Sequence, residues 1–315
     1  MKTNIHKEVI AFIITFIVLI ILILLYILLD FTEQENNEIT QEVLINKTAT
    51  VTNIWIYDYT RLDKLKENDI KYLLIDIGGT NQDGSFNNSY EIMYDFYDYI
   101  REYEENRNYS FILLPYSEVR STEIDITTNE FKNNFVKSYK NLINYGYDGL
   151  LVDIEPVKKE EREDFLNILD KLNNELPNNS IIAVYTSHLV KEETSNVWEW
   201  EKDFYNQVIE KADIISAPLY DTIFTNTQEY QRHINKQIKL LNELKETEIL
   251  IAIPTHKTYP EQSDIALEGI LEAIKKHPNK NIVGITVFAE WTAENSDWEN
   301  FKTYRTKIIN EQIKK

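Results

Sequence analysis

Hydrophobic and polar positions along the chain fall into three regimes. Val9 to Leu29 (VIAFIITFIVLIILILLYILL) runs 21 residues without a charge, with Thr15 and Tyr26 as the only polar groups. At 1.5 Å per residue, a helix of that length spans roughly the 30 Å hydrocarbon core of a bilayer. Residues 30–50 carry no helical or strand period, and acids dominate them. They read as a short polar tether. From Thr52 onward, short β-branched apolar runs alternate with longer amphipathic stretches.

The first regime reads as a membrane anchor. A cleaved signal would have an apolar core of about 7–15 residues and a small-residue cleavage site. This run is longer and ends in Leu-Leu-Asp-Phe. Lys2 and Lys7 precede it, while Asp30, Glu33, Glu35, Glu38 and Glu42 follow it before any Lys or Arg. The positive-inside rule then places the N-terminus in the cytoplasm and the remainder outside the cell. The expected organisation is a cytoplasmic tip and transmembrane helix over residues 1–30, a stem over 31–51, and a folded domain over 52–315.

The third regime holds the strand candidates Asn53–Tyr57, Tyr72–Ile77, Phe111–Pro115, Gly149–Ile154, Ser180–Tyr185, Ile214–Leu219, Ile249–Ile253 and Ile282–Phe288. Near-continuous apolar runs indicate strands buried on both faces, as in a parallel sheet. Between them, Phe165-Leu166, Leu169 and Leu172 recur at helical spacing, as do Ile234, Ile238, Leu241 and Leu244. Each set makes one apolar helix face. Glu268–Lys275 supplies another helical stretch, and Pro177 and Pro278 fall where helices stop. Eight βα units in this length predict a (β/α)8 TIM barrel preceded by a single transmembrane helix. An open doubly wound sheet would carry a glycine-rich nucleotide loop after its first strand. Here that strand runs into Tyr57-Asp58-Tyr59-Thr60.

Composition narrows the chemistry. With 33 Lys+Arg against 52 Asp+Glu, the net charge of −19 argues against binding a nucleic-acid backbone. The absence of cysteine excludes disulfides, thiolate metal sites and a cysteine nucleophile. Seven glycines form neither a GxGxxG nor a GxxxxGK[ST] loop, and the five histidines are scattered without ligand spacing. No metal and no cofactor is expected.

In a barrel the chemistry sits at the C-terminal ends of the strands. Those ends carry Tyr57, Asp58, Asp76, Tyr116, Asp153, Glu155, Tyr185, Tyr220, Asp221, His256, Glu290 and Trp291. Aromatics suit sugar rings, and carboxylates suit glycosidic cleavage, in which an acid protonates the leaving oxygen. Asp153 and Glu155, two residues apart, point to the same side of one strand. That side is the barrel interior or mouth, because two carboxylates against the outer helices would be buried without partners. Their proximity pushes one pKa upward, as a general acid near neutrality requires. The same pair could instead be hydrogen-bonded to neighbouring strands for stability. Glu290 is either a second carboxylate for a retaining pair with Glu155 or a hydrogen-bonding group at the barrel top. Trp198 and Trp200 either line a sugar subsite or start a helix with an apolar staple.

The run Asp148-Gly149-x-x-x-Asp153-x-Glu155 resembles the strand-four signature of family 18 glycoside hydrolases, DGxDxDxE. Ala217-Pro218-Leu219-Tyr220-Asp221 resembles that family's strand-six M-x-Y-D segment, and Trp291 resembles its tryptophan beneath the reacting sugar. The resemblance covers roughly residues 52–303. It implies Glu155 as the acid/base and Asp153 as the residue that orients the substrate N-acetyl group, whose carbonyl oxygen is the nucleophile. It further implies Tyr220 as donor to that oxygen and Asp221 as a substrate contact. Tyr57, Tyr116, Tyr185, Glu290 and Trp291 complete the candidate substrate-binding set. Leu151 stands where the signature has its first Asp, and Leu113-Leu114-Pro115-Tyr116-Ser117 replaces the family's S-x-G-G. These departures suit a divergent single-domain branch. The expected function is an anchored, outward-facing hydrolase of glycans containing N-acetylhexosamine, such as peptidoglycan, chitin or N-glycans. The alternative is a weak or silent barrel that binds such glycans at the cell surface.

Overall fold

The computed structural model describes residues 47–55, 58–192, 194–278 and 281–313. The predicted anchor at 9–29, most of the predicted stem and Tyr57 lie outside these residues. Among the described residues, no helix is long and apolar enough to cross a membrane.

Eight parallel strands close into a barrel. They are β1 (Lys47–Asn53), β2 (Tyr72–Gly79), β3 (Ile112–Arg120), β4 (Gly149–Glu155), β5 (Ile181–Tyr185), β8 (Ile214–Pro218), β9 (Glu248–Pro254) and β10 (Ile282–Phe288). Around it run α1 (Tyr59–Glu67), α2 (Tyr90–Arg107), α3 (Asn129–Tyr145), α4 (Arg162–Glu175), α5 (Lys202–Ile209), α6 (Thr227–Leu241), α7 (Ser263–Lys276) and α8 (Asn295–Ile313). The order β1-β10-β9-β8-β5-β4-β3-β2 is the (β/α)8 arrangement that the alternating pattern predicts. Between β5 and α5 the chain makes an excursion that pairs β6 (His188–Val190) with β7 (Glu199–Glu201).

Alternation along each strand divides the core in two. Outward residues such as Leu150, Val152 and Ile154 of β4 join the large cluster beneath the helices. Inward residues, among them Val51, Leu74, Leu114, Leu151, Ala183 and Leu250, fill the barrel interior. Such an interior is a packed core, so only its mouth offers room for a ligand.

The first strand departs from expectation. β1 occupies Lys47–Asn53, not Asn53–Tyr57, so residues 47–51, predicted as stem, belong to the barrel. Its sequence, KTATVTN, carries three threonines with no apolar run. β-branched threonine suits a strand, and the buried Thr50 hydroxyl donates to the Val287 carbonyl at 3.0 Å. Trp55, predicted within a buried strand, is 59% exposed.

Candidate active site

The two halves of the β4 motif do different work. Asp148, just ahead of the strand, accepts Arg101 Nη2 at 2.9 Å and the Leu113 amide at 2.8 Å. At Gly149 a Cβ would stand 2.1 Å from the Ile181 carbonyl oxygen of β5, so only glycine lets the two strands approach. Asp148 and Gly149 therefore seat the strand. Asp153 and Glu155 lie at its other end and face inward.

The register places Glu118 of β3 opposite Asp153, and Arg120 opposite Glu155. Arg120 Nη1 donates to Glu155 Oε1 at 2.7 Å, and the same guanidinium is paired with Glu118. Burial pushes the Glu155 carboxyl above the usual glutamate range; Arg120 opposes that shift and Glu118 adds to it. Asp153 is raised further, by burial first and then by Glu155 and Glu118. Its Oδ1 is closed off from solvent and takes no hydrogen bond. Leu151, one inward position earlier, contributes only apolar packing.

Two spaces meet at these residues. The outer one is a cleft of about 360 Å³ lined by Arg120, Glu155, Tyr185, His188, Trp198 and Asp221, among others. Beneath it a pocket of about 30 Å³ is lined by residues that include Asp153, Tyr116, Thr286 and Phe288. Tyr185 and Tyr220 line both. Thr286 Oγ1, like Asp153 Oδ1, is buried without a hydrogen-bond partner. The Tyr185 hydroxyl donates to that of Tyr220 at 3.3 Å, and burial raises both phenols. The Tyr220 ring stacks on Phe288, with centroids 4.8 Å apart and planes 17° apart.

Asp153, Glu155, Tyr116, Tyr185, Tyr220 and Asp221 thus come together at one mouth. Glu290 and Trp291 do not join them. Glu290 is buried and gripped by both Arg61 Nε and Arg61 Nη2 of α1. Of its two readings, the geometry is that of a hydrogen-bonding group at the barrel top. Trp291 is 43% exposed on the turn after β10. The ring against Tyr220 is Phe288, because Thr286 and Phe288 are the inward residues of β10. The tryptophan pair also divides. Trp198 lines the cleft, whereas Trp200 is fully buried against Phe165, Phe204 and Tyr205.

Arg120, Glu118 and Phe288 are site residues that the sequence reading did not single out. The signal for the first two is the alternation Tyr116, Glu118, Arg120. It is obscured by Pro115, which the sequence reading takes as the end of the strand although β3 runs on to Arg120.

Comparison with solved structures places this barrel among known ones. A chitinase from Bacteroides thetaiotaomicron superposes with a TM-score of 0.61 at 10% identity, over 85% of this chain and 97% of that one. A Family GH18 chitinase from Chromobacterium violaceum gives 0.58 at 12% identity, over 85% and 83%. The Bacillus cereus spore cortex-lytic enzyme SleL gives 0.57 at 10% identity, over 81% and 73%. The chain has the fold of the GH18 chitinases. No protein-family profile and no curated protein sequence matches it. At these identities the likeness is one of backbone, and function has to be argued from the site itself.

Proposed function

We propose that this chain is a glycoside hydrolase acting on glycans that contain N-acetylhexosamine, by substrate-assisted retaining catalysis. The observation that carries the reading is the Asp153 carboxyl. It is half-buried, has one oxygen closed off from solvent without a protein partner, and lies two residues from a rim acid. A buried polar atom left unsatisfied calls for an explanation, and an acetamido N–H entering the small pocket supplies one. Glu155 protonates the glycosidic oxygen as the bond breaks, so that no alkoxide has to leave. The acetamido carbonyl oxygen attacks the anomeric carbon on the opposite face, giving a cyclic oxazolinium. Asp153 accepts the acetamido N–H, and Tyr220 donates to the carbonyl oxygen. Glu155, now ionised, then takes a proton from the water that opens the ring and retains the configuration. Asp221, Tyr185, Tyr116 and Trp198 hold the sugars. The likeness to chitinases and to a cortex-lytic enzyme supports the substrate class. Residues 9–29 are assigned to the anchor, which puts the barrel outside the cell.

A second reading has its own observation. Glu155 is already paired with Arg120, as suits a silent barrel that binds glycans without cutting them. One experiment separates the two: incubation of the full chain with chitin oligosaccharides, peptidoglycan and N-glycans, with detection of new reducing ends. The hydrolase reading expects product from the wild type and near-background product from Glu155→Gln, with binding retained. Equal rates from the two proteins would refute it. Binding without cleavage by the wild type would establish the second reading.

A further inference from the structure

The corner Tyr220-Asp221-Thr222 follows β8 and carries two of the proposed substrate contacts. Its backbone is unusual, because Asp221 has φ +58° in the left-handed region. A side chain other than glycine is uncommon there, and it persists where its surroundings hold it. The enforcing group is a single carboxyl. Glu261 is 5% exposed and lies just ahead of α7. Its Oε2 accepts the Asp221 amide at 2.9 Å and faces His256 Nε2 at 3.3 Å. Its Oε1 accepts the Thr222 amide at 2.6 Å and the Thr222 hydroxyl. From the other side of the corner, His188 Nε2 meets the Tyr220 carbonyl oxygen at 3.0 Å. Three consecutive residues are therefore pinned through their backbone by side chains from β6 and from the loop after β9. Ligand atoms of Asp221, His256 and Glu261 lie within 4.8 Å of one another. The Glu261 oxygens are already taken up by these donors, so the cluster works as a clamp and not as a cation site.

We propose that Glu261 is a positioning residue that holds Tyr220 and Asp221 in place for the substrate, an inference that rests on the hydrolase reading above. Two consecutive amides directed at one carboxyl preorganise the corner before substrate arrives. Glu261→Gln is the sharpest probe, since it replaces one acceptor by an amide that turns a donor toward a donor.

The test has two arms, both on the full chain. In a crystal structure of Glu261→Gln, Asp221 should leave the left-handed region and the Tyr220 hydroxyl should move. On the glycan that the wild type cleaves, kcat/KM should fall about 10–100-fold, the cost of small misplacements in a preorganised site. That fall should be read well below the Tm and should appear in kcat as well as KM. An unmoved corner would overturn the proposal. So would a moved corner with kcat/KM within about twofold of wild type, or a lower Tm as the only effect. If Glu261→Gln fails to fold, Thr222→Val removes one of the bonds and should lower kcat/KM severalfold at unchanged Tm. No change there would overturn the proposal. A wild type that cleaves no glycan defeats the hydrolase reading, while the crystal comparison still decides the clamp.

Discussion

Asp153 and Glu290 are acids at the same end of one barrel, and they meet burial in opposite ways. Burial raises both carboxyls above their usual range. Glu290 has the forked guanidinium of Arg61 and, at 3.5 Å, the Thr52 hydroxyl. Asp153 faces Glu118 and Glu155, and its Oδ1 has no partner at all. A buried acid whose acceptors are filled by the protein holds the fold together, whereas one whose acceptor is left open in a pocket is available to a ligand. Sequence position alone does not separate them, since both come after an apolar run.

Removing the partner of the satisfied acid gives the largest expected effect on stability. Arg61→Ala leaves Glu290 buried without its cation, and thermal unfolding should show a loss of about 1–3 kcal/mol. Turnover per folded molecule should stay within about twofold of wild type. Lost turnover at unchanged Tm would move Glu290 into the site and break the contrast.

Neutralising the unsatisfied acid should act the other way. Asp153→Asn removes a charge that burial, Glu155 and Glu118 disfavour more than Arg120 favours it, so Tm should rise by about 2–4 °C, what ~1 kcal/mol produces in a domain of this size. The sign follows from the raised carboxyl. Ionisation costs the folded state more than the unfolded one, so the wild type is at little disadvantage below the unfolded carboxyl value of about 3.9. The disadvantage grows as pH rises through the folded value. Unfolding scans at pH 4 and pH 8 should show the gap widening, and a gap that narrows would contradict the contrast.

Arg120 gives the smallest effect. Its charge favours the ionised form of Glu155. Arg120→Gln should therefore keep Glu155 protonated to higher pH and move the alkaline limb of the kcat/KM profile upward. A limb that stays in place or moves down would remove Arg120 from control of the acid.

The sequence announces the barrel through its period. Runs such as GLLVDI and IVGITVF are short, β-branched and nearly continuous in apolar residues, which reads as strands of a parallel sheet. β1 escapes that signal because threonine supplies its branching without an apolar run. At the mouth, Asp153, Glu155, Tyr220 and Asp221 are legible from spacing and motif. Which partners they meet is not, because partners are set by the register between strands distant in sequence. Arg120 belongs to the site through its pairing with β4, beyond a proline that looks like a stop. Phe288 does so because inward alternation ends on it, three residues before the more conspicuous Trp291. The Trp198 and Trp200 side chains take opposite roles for the same kind of reason: the β6–β7 excursion turns one into the cleft and the other into the core.

The central claim is that the open oxygen of Asp153 awaits the N–H of an acetamido group. The direct measurement is a cycle on one substrate pair: kcat/KM of wild type and Asp153→Asn on an N-acetylated oligosaccharide and on its de-N-acetylated counterpart. Losing a positioned catalytic group costs on the order of 10²–10⁴ in rate. The wild type should prefer the acetylated substrate by such a factor, and Asp153→Asn should lose most of that preference. Equal discrimination by the two proteins would show that Asp153 does not act on the acetamido group.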